Sequence, residues 1–578
     1  MVQHQLFMAC LSKILGSISK SVLTVFLLSH ATSSHPFTAG DSLGAVSSES
    51  RICSEIGIGI LERGGNAADA LVGTTLCVGV IGMQHSGIGG GGFMLVRDSD
   101  GKYESIDFRE TAPATAFTDM YKDDPMASVF SGLASAVPGD LRGLEYLHNK
   151  YGVLPWRAVC NPAVYVARHG FPVSEDLVRY MAAATEGGNN FLTDDPQWAM
   201  DFAPNGTLLG LGDILTRKRY ANTLETIAEH GADAFYTGEI ANHTINALRA
   251  SNGTMTLEDL SSYSVSIREP VSIVYKGYNL TSCGVPSGGS VALSILKIME
   301  GYGNSSPDDL DLNTHRINEA MRFSYAARGE LGDPDFFDYM TGFEADMLTP
   351  KTAAKIRSRI DDERTKNVTD YSMKGEGEAY EGPENHGTSH IVTVDGSGLT
   401  ITLTSTVNLL FGSQLVVPET GVIMNNEMND FSIPGVPNAF GFVPSPINYI
   451  SPLKRPLSSI SPIIATHPNG TLYISIGAAG GSRIITATTL ALWHVLDHGM
   501  TLPQALAAPR LHDQLMPATT TLEPGFDSEV ESGLRARGHN VTCVPNGYSS
   551  VQGVRRLWNG TLEAASEPRQ VNSAGLAV

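Results

Sequence analysis

The run TSHIVTVDGSGLTITLTSTVN, residues 388–408, constrains the fold more than any other part of the chain. Two β-branched stretches with period-2 alternation flank Asp395-Gly-Ser-Gly398, and Asp-Gly between such runs signals a hairpin. Centring the turn on Gly396-Ser397 pairs Asp395 with Gly398 and places Thr388 opposite Ser405, with Thr406 and Asn408 nearby. The chain of 578 residues exceeds one compact core, so the hairpin belongs to one of two or more lobes or to one large layered α/β unit.

Upstream, Ser50 to Arg63 reads as an amphipathic helix stopped by Gly64-Gly65-Asn66 before the apolar Ala67 to Ile81. Strands follow at Phe93 to Arg97 and Tyr103 to Phe108, then helical segments such as Leu141 to Tyr151 and Thr314 to Arg328. Ser372 to Asn385 is polar and glycine-rich, an exposed flexible loop by composition, and it ends just before Thr388. Beyond the hairpin, a strand at Tyr473 to Gly477 meets Gly480-Gly481 and a helix over Ser482 to His498.

The composition, 42% hydrophobic and 17% charged, is that of a globular protein, and the net charge of −21 with no Lys/Arg cluster excludes a nucleic-acid partner. Lys13 and Lys20, the apolar Val22 to Leu28 and the small residues Ser29 to Ser34 read as a signal peptide over 1–33, cleaved near Ser33. An uncleaved anchor beginning near Leu6 is the alternative. Nine Asn-x-Ser/Thr acceptors (Asn205, Asn242, Asn252, Asn279, Asn304, Asn367, Asn469, Asn540 and Asn559) agree with a secretory route ending outside the cell, at its surface or in a vacuolar lumen. Six scattered cysteines without a C-x-x-C pair argue against zinc and allow one or two disulfides.

Two familiar motifs are set aside. Gly40-Asp-Ser-Leu-Gly44 matches a nucleophile elbow but lacks the buried strand that would aim Ser42. Gly87-Ile-Gly-Gly-Gly-Gly92 leads into a strand and not a helix, so it reads as a close-packing turn and not a phosphate cradle. Thr388 is different. A threonine at a chain terminus has its own α-amine as a base, with a pKa of about 7.7–8.0. Cleavage after Gly387 would create that terminus, and glycine leaves the carbonyl open to attack; an ordinary strand start is the other reading. Backbone N–H groups at Gly480-Gly481 can stabilise an oxyanion, unless the pair is only a tight turn.

HGTSHIVTVD (386–395), STVN (405–408), NNEMNDFS (425–432), KRPLSSISP (454–462) and GAAGGSRI (477–484), in that order, closely resemble the γ-glutamyltransferases, also called glutathione hydrolases. IDFRETAP (106–113) and RGGNAADA (63–70) extend the likeness to the N-terminal half. The resemblance implies an α/β (α+β) N-terminal-nucleophile hydrolase fold, an αββα sandwich of two stacked sheets between helical layers. It implies a precursor that cleaves itself into a large subunit, 34–387, and a small one, 388–578.

Carried over residue by residue, Thr388 matches the nucleophile, Thr406 the hydroxyl that hydrogen-bonds it, and Gly480 with Gly481 the oxyanion hole. Arg109, with Ser458 and Ser459, looks like the holder of the substrate α-carboxylate, and Asn408, Glu427 and Asp430 resemble the group receiving the α-amine. Cys53 and Cys77 resemble a disulfide-bonded pair of animal members. Glu427 stands where many bacterial members have glutamine, and Phe440 where some have a lid tyrosine.

The implied reaction is attack of Thr388 on the γ-glutamyl amide of glutathione or a related compound, release of Cys-Gly, and transfer to water, an amino acid or a dipeptide. It requires no metal or organic cofactor. Two other readings are an acylase for a different side chain, such as a glutaryl amide, which Glu427 and Asp430 argue against, and an uncleaved inactive relative acting as a binding protein.

Overall fold

Every residue from Gly387 to Asp395 and from Thr400 to Asn408 is buried, a condition a hairpin meets only at the centre of a sandwich with cover on both faces. The computed structural model describes residues 42–303, 309–371, 387–436 and 444–578. The segment 1–33 read as a signal, the polar stretch 372–385 read as a loop, Asn304 and Phe440 lie outside them.

In chain order the strands of the two main sheets are β1 (Gly44–Ser48), β2 (Gly91–Arg97), β3 (Tyr103–Phe108), β4 (Ser266–Arg268), β5 (Val271–Tyr275), β6 (Tyr278–Ser282), β7 (Gly387–Asp395), β8 (Thr400–Asn408), β9 (Ile463–Thr466), β10 (Leu472–Ala479), β11 (Ser550–Arg556), β12 (Leu562–Ala565) and β13 (Ala574–Ala577). The first sheet runs β13-β1-β7-β8-β2-β3-β4 and the second β12-β11-β10-β9-β6-β5. Helices α1 (Arg51–Glu62) and α2 (Ala67–Ile81) cover the outer face of the first sheet. Helices α3 (Gly289–Glu300) and α5 (Ile484–Asp497) cover the second, with α4 (Leu310–Arg328) packed on α3. The architecture is thus αββα, one layered unit over the described residues.

Strand periodicity decides where the chemistry points. Ile391, Ile401 and Leu403 join the core under α1 and α2, whereas Val392 and Val394 join Phe93, Leu95, Ile474 and Ile476 between the sheets. Each such side chain contributes roughly 1.5–3 kcal/mol by burial, so the facing of β7 is strongly specified. Thr388 and His390 share the parity of Val392 and face the second sheet. His390 touches it directly: a Cβ on Gly477 of β10 would lie 2.3 Å from its ring. Ser389 faces the helical layer, and farther along the same face Thr393 donates to the Ala67 carbonyl at the start of α2.

The hairpin register differs by one from the sequence reading. Thr400 pairs with Val394 and Ser405 with Ser389, so Thr388 falls opposite Thr406. The loop holds three residues, not two: Gly398 takes φ +91°, and Asp395 donates to Leu399, the pattern of a turn closed by a left-handed glycine. Glycines 91 and 92, read as part of a turn, are already in strand β2, paired with Thr406 and Ser405.

Cys53 of α1 and Cys77 of α2 form a disulfide with Cα atoms 5.4 Å apart. Cys160 and Cys283 are buried thiols and Cys543 an exposed one. Among the described residues, His315, Glu319 and His539 have metal-ligand spacing, but hydrogen bonds already account for them. Asn318 meets His539 at 3.1 Å, His539 meets His315 at 2.8 Å, and the far nitrogen of His315 meets the Asp361 carbonyl at 2.8 Å. Such a chain of neutral rings is consistent with burial, which pushes His539 down to about 3.

Candidate active site

The site begins where the hairpin ends. A β-bulge between Ser405 and Asn408 folds the end of β8 over Gly387. A Cβ on Gly387 would lie 2.6 Å from the carbonyl oxygens of both Asn408 and Leu409. That close approach answers why glycine precedes Thr388. Asn408 sits at φ +74°, a left-handed conformation that asparagine tolerates better than most residues.

The bulge gathers two hydroxyls on one carbonyl, with a backbone amide behind them. Asn408 N–H donates to Thr406 Oγ1 at 2.7 Å, and Thr406 Oγ1 donates to the Gly387 carbonyl at 2.5 Å. Thr388 Oγ1 lies 2.7 Å from the same carbonyl oxygen and 3.3 Å from Thr406 Oγ1. The glycine-rich run 87–92 holds this end of β8 by close packing, as read from sequence: a Cβ on Gly90 would fall 1.9 Å from the Thr406 carbonyl. On the other face of β7, Ser389 Oγ donates to Glu49 at 3.0 Å and accepts from Ser86 at 2.9 Å, while Glu49 also meets His85 at 2.8 Å. This buried network fixes the residue next to Thr388, and sequence reading missed it, since Glu49, His85 and Ser86 lie about 300 residues away in the chain.

Arg109 follows β3 and is 1% exposed. Its backbone N–H donates to Asp107 Oδ1 at 3.0 Å and its carbonyl accepts from Tyr263. The sequence reading gave Arg109 to the substrate α-carboxylate and the Glu427/Asp430 pair to its α-amine. Here they bind one another: Nη1 pairs with Glu427 and Nη2 with Asp430, two residues of one short 3₁₀ turn. Charge balance favours the pairing, because taking a guanidinium out of water is costly and neighbouring carboxylates offset that cost.

Burial works against the charge of Arg109, but the fields of Glu427, Asp430 and Glu110 outweigh it and keep the guanidinium protonated. Burial pushes Glu110 up to about 8 against the field of Arg109, and raises Glu427 well above the usual carboxylate range. Three carboxyl groups around one guanidinium in a dry site retain a proton near neutrality. Glu427 Oε2 and Asp430 Oδ1 are buried without a hydrogen-bond partner.

Across the cleft, Ser458 N–H donates to the Pro286 carbonyl at 2.8 Å, and a Cβ on Gly288 would touch the Ser459 carbonyl at 2.8 Å, so a tight loop cradles both serines. Gly480 (φ +126°) and Gly481 (φ +56°) make the turn between β10 and α5; a Cβ on Gly480 would lie 2.4 Å from the Tyr548 carbonyl. A 3₁₀ turn, Gly481–Arg483, precedes the helix expected from Ser482.

Arg109, Thr388, Thr406, Asn408, Glu427, Asp430, Ser458, Ser459 and Gly481 all line one cleft. Of the ten residues singled out from sequence, Gly480 alone is not among those lining it; it directly precedes Gly481, which is. The cleft also contains Arg328, Leu457, Ile460 and Ile484, which sequence reading did not single out. Arg328, the last residue of α4, was legible only as part of a helical run.

A profile of the γ-glutamyltranspeptidases matches residues 53–577. The chain belongs to that family. A glutathione hydrolase proenzyme of Arthroderma benhamiae is 52% identical over 548 residues, covering 93% of each chain. A glutathione hydrolase of Aspergillus flavus is 46% identical over 537 residues, covering 92% of this chain and 89% of its own. Among solved structures, a cephalosporin acylase from Bacillus halodurans superposes with a TM-score of 0.81 at 27% identity, covering 94% of this chain and 98% of that one. The family is one of enzymes with the N-terminal-nucleophile fold, in agreement with the two stacked sheets and their helical layers.

Proposed function

We propose that the protein is a γ-glutamyltransferase and glutathione hydrolase, made as a precursor that cuts itself between Gly387 and Thr388 into subunits 34–387 and 388–578. In the first step Thr388 Oγ1 attacks the Gly387 carbonyl carbon. The hydroxyl of Thr406 supports the charge that develops on the carbonyl oxygen; the C–N bond breaks as the Thr388 hydroxyl proton passes to the leaving nitrogen, which frees the Thr388 amine, and water then hydrolyses the resulting ester to a Gly387 carboxylate and a free Thr388 hydroxyl.

In the mature enzyme that amine takes the Thr388 hydroxyl proton as Oγ1 attacks the γ-carbonyl of substrate. The N–H groups of Gly480 and Gly481 serve as the oxyanion hole, Cys-Gly leaves with the proton, and water or an amine takes the acyl group. Arg109, Ser458 and Ser459 hold the α-carboxylate, and Asn408, Glu427 and Asp430 the α-ammonium. The observation that carries this reading is the pair of unpartnered oxygens, Glu427 Oε2 and Asp430 Oδ1, beside Arg109 in the cleft of Thr388. They fit a donor-rich ammonium beside a carboxylate and would be left unpaired by a glutaryl side chain, which weighs against the acylase reading that the Bacillus halodurans likeness raises.

The same proposal places the protein on the secretory route, outside the cell, at its surface or in a vacuole, with segment 1–33 as its signal. Exposed acceptor asparagines at 205, 242, 252, 367, 469, 540 and 559 support glycosylation there. Free amino acids and dipeptides are the proposed acceptors.

The test is purified protein with glutathione, with and without a dipeptide. Expected are two chains on a denaturing gel, glutamate release, and a γ-glutamyl dipeptide when acceptor is present. A single uncut chain with no glutamate release refutes the reading.

A further inference from the structure

Helix α4 ends on the active cleft, and its last turn touches two separate parts of it. The hydroxyl of Tyr325 donates to the Ser482 carbonyl at 2.6 Å, bracing the turn that follows Gly480-Gly481. Three residues on, one helical turn away, Arg328 lines the cleft itself and points Nη2 at Ser459 Oγ, 3.4 Å away. Arg328 is 7% exposed and lies within the fields of both Asp430 and Arg109. Burial pushes it down to about 10, which leaves it charged at neutral pH.

The other guanidinium of the cleft, Arg109, turns its two terminal nitrogens to Glu427 and Asp430. A carboxylate entering between Arg109 and Ser459 therefore meets one cation already neutralised by two acids, and a second cation that touches the serine. We propose that Arg328 is a specificity-determining residue for the substrate α-carboxylate, acting by its charge and by orienting the Ser459 hydroxyl toward it. This rests on the γ-glutamyl reading above and adds to it a residue from the helical layer. Arg328 acts on binding of the head group and not on the attack of Thr388, so its loss raises KM far more than it lowers kcat.

The experiment compares γ-glutamyl-p-nitroanilide with 4-aminobutyryl-p-nitroanilide, the same amide without the α-carboxylate. The proteins are wild type, Arg328→Met and Arg328→Lys, each shown by gel to be cut into two chains. For Arg328→Met the expected result is a KM on the γ-glutamyl substrate raised on the order of 10- to 100-fold with kcat within about threefold, and no rise on the substrate lacking the carboxylate. Arg328→Lys, keeping the charge without the fork, recovers part of the loss. An unchanged KM, or an equal rise on both substrates, overturns the inference. Should Arg328→Met fail to fold, the cycle of Arg328→Lys with Ser459→Ala decides: coupled effects on KM support the proposal and additive ones overturn it. A wild type inactive on γ-glutamyl-p-nitroanilide would overturn the functional reading itself, an outcome distinct from an active wild type indifferent to Arg328.

Discussion

Replacing Gly387 with alanine tests the geometry that surrounds the cut. The added Cβ would sit 2.6 Å from the Asn408 and Leu409 carbonyl oxygens, whereas unstrained contact needs roughly 3.5 Å, so the strand end and the bulge must part by about 0.9 Å. Overpacking of this kind costs about 1–3 kcal/mol. The same displacement stretches the 2.5 Å hydrogen bond from Thr406 to the Gly387 carbonyl to the limit of a hydrogen bond. Losing one donor to a developing oxyanion slows a reaction by about 10²–10³-fold, so self-cleavage of Gly387→Ala is expected to slow on the order of 100-fold. The assay follows precursor and product bands on a denaturing gel after a pulse of synthesis. Molecules that do cut should show wild-type kcat/KM, since residue 387 then ends a chain. A cutting rate within about twofold of wild type would refute the argument.

Thr388→Ala should give one uncut, inactive polypeptide and Thr388→Ser a slower cut; an alanine variant still cut between 387 and 388 would assign the cleavage to an outside protease. Replacing Cys53 and Cys77 by serine opens a bridge of sequence separation 24, for which chain entropy predicts a loss of about 3 kcal/mol, and an unchanged denaturation midpoint would contradict it. Burial holds His390 at about 3 and His494 at about 4, both below the ordinary 6.5 of the unfolded chain. Their contribution is complete above pH 6.5 and is lost on acidification toward those values, because only the unfolded state takes up the protons. The fall is at most about 1.4 kcal/mol per pH unit for each residue. Denaturant titrations of the uncut Thr388→Ala protein at pH 7 and pH 5 should show it, and His390→Gln should remove its share; equal slopes with and without His390 would sink that assignment.

The residues along the hairpin carried much of this in their order. The β-branched runs on either side of Asp395-Gly396 specify β7 and β8, and the glycine run before β2 specifies close packing. The register was off by one because Gly398, and not its position in the count, decides the loop, and a left-handed glycine is a property of backbone angle that spacing does not reveal. The direct pairing of Arg109 with Glu427 and Asp430 was invisible for another reason. Those residues are some 320 positions apart, and sequence indicates which charges a substrate needs but not that they neutralise one another first. Arg328 was hidden inside a helical run whose period shows a buried face without saying what that face meets. The support of Ser389 by Glu49 and His85 carries no local pattern at all.

The order of strands has a consequence for molecularity. Strands β1 to β6 precede the Gly387–Thr388 bond and β7 to β13 lie at or beyond it, yet β1 is wedged between β13 and β7, β8 lies against β2, and β9 against β6. A cut at that bond would therefore leave two polypeptides sharing four seams of backbone hydrogen bonds, with the Cys53–Cys77 bridge confined to one of them. The precursor folds by a first-order process whose outcome is independent of concentration. The cut enzyme, once unfolded, would have to find its other half by collision, so its recovery would fall with dilution while its persistence would rest on the height of the unfolding barrier. Such a molecule is assembled as one chain and keeps that arrangement as two, without an equilibrium route back at high dilution.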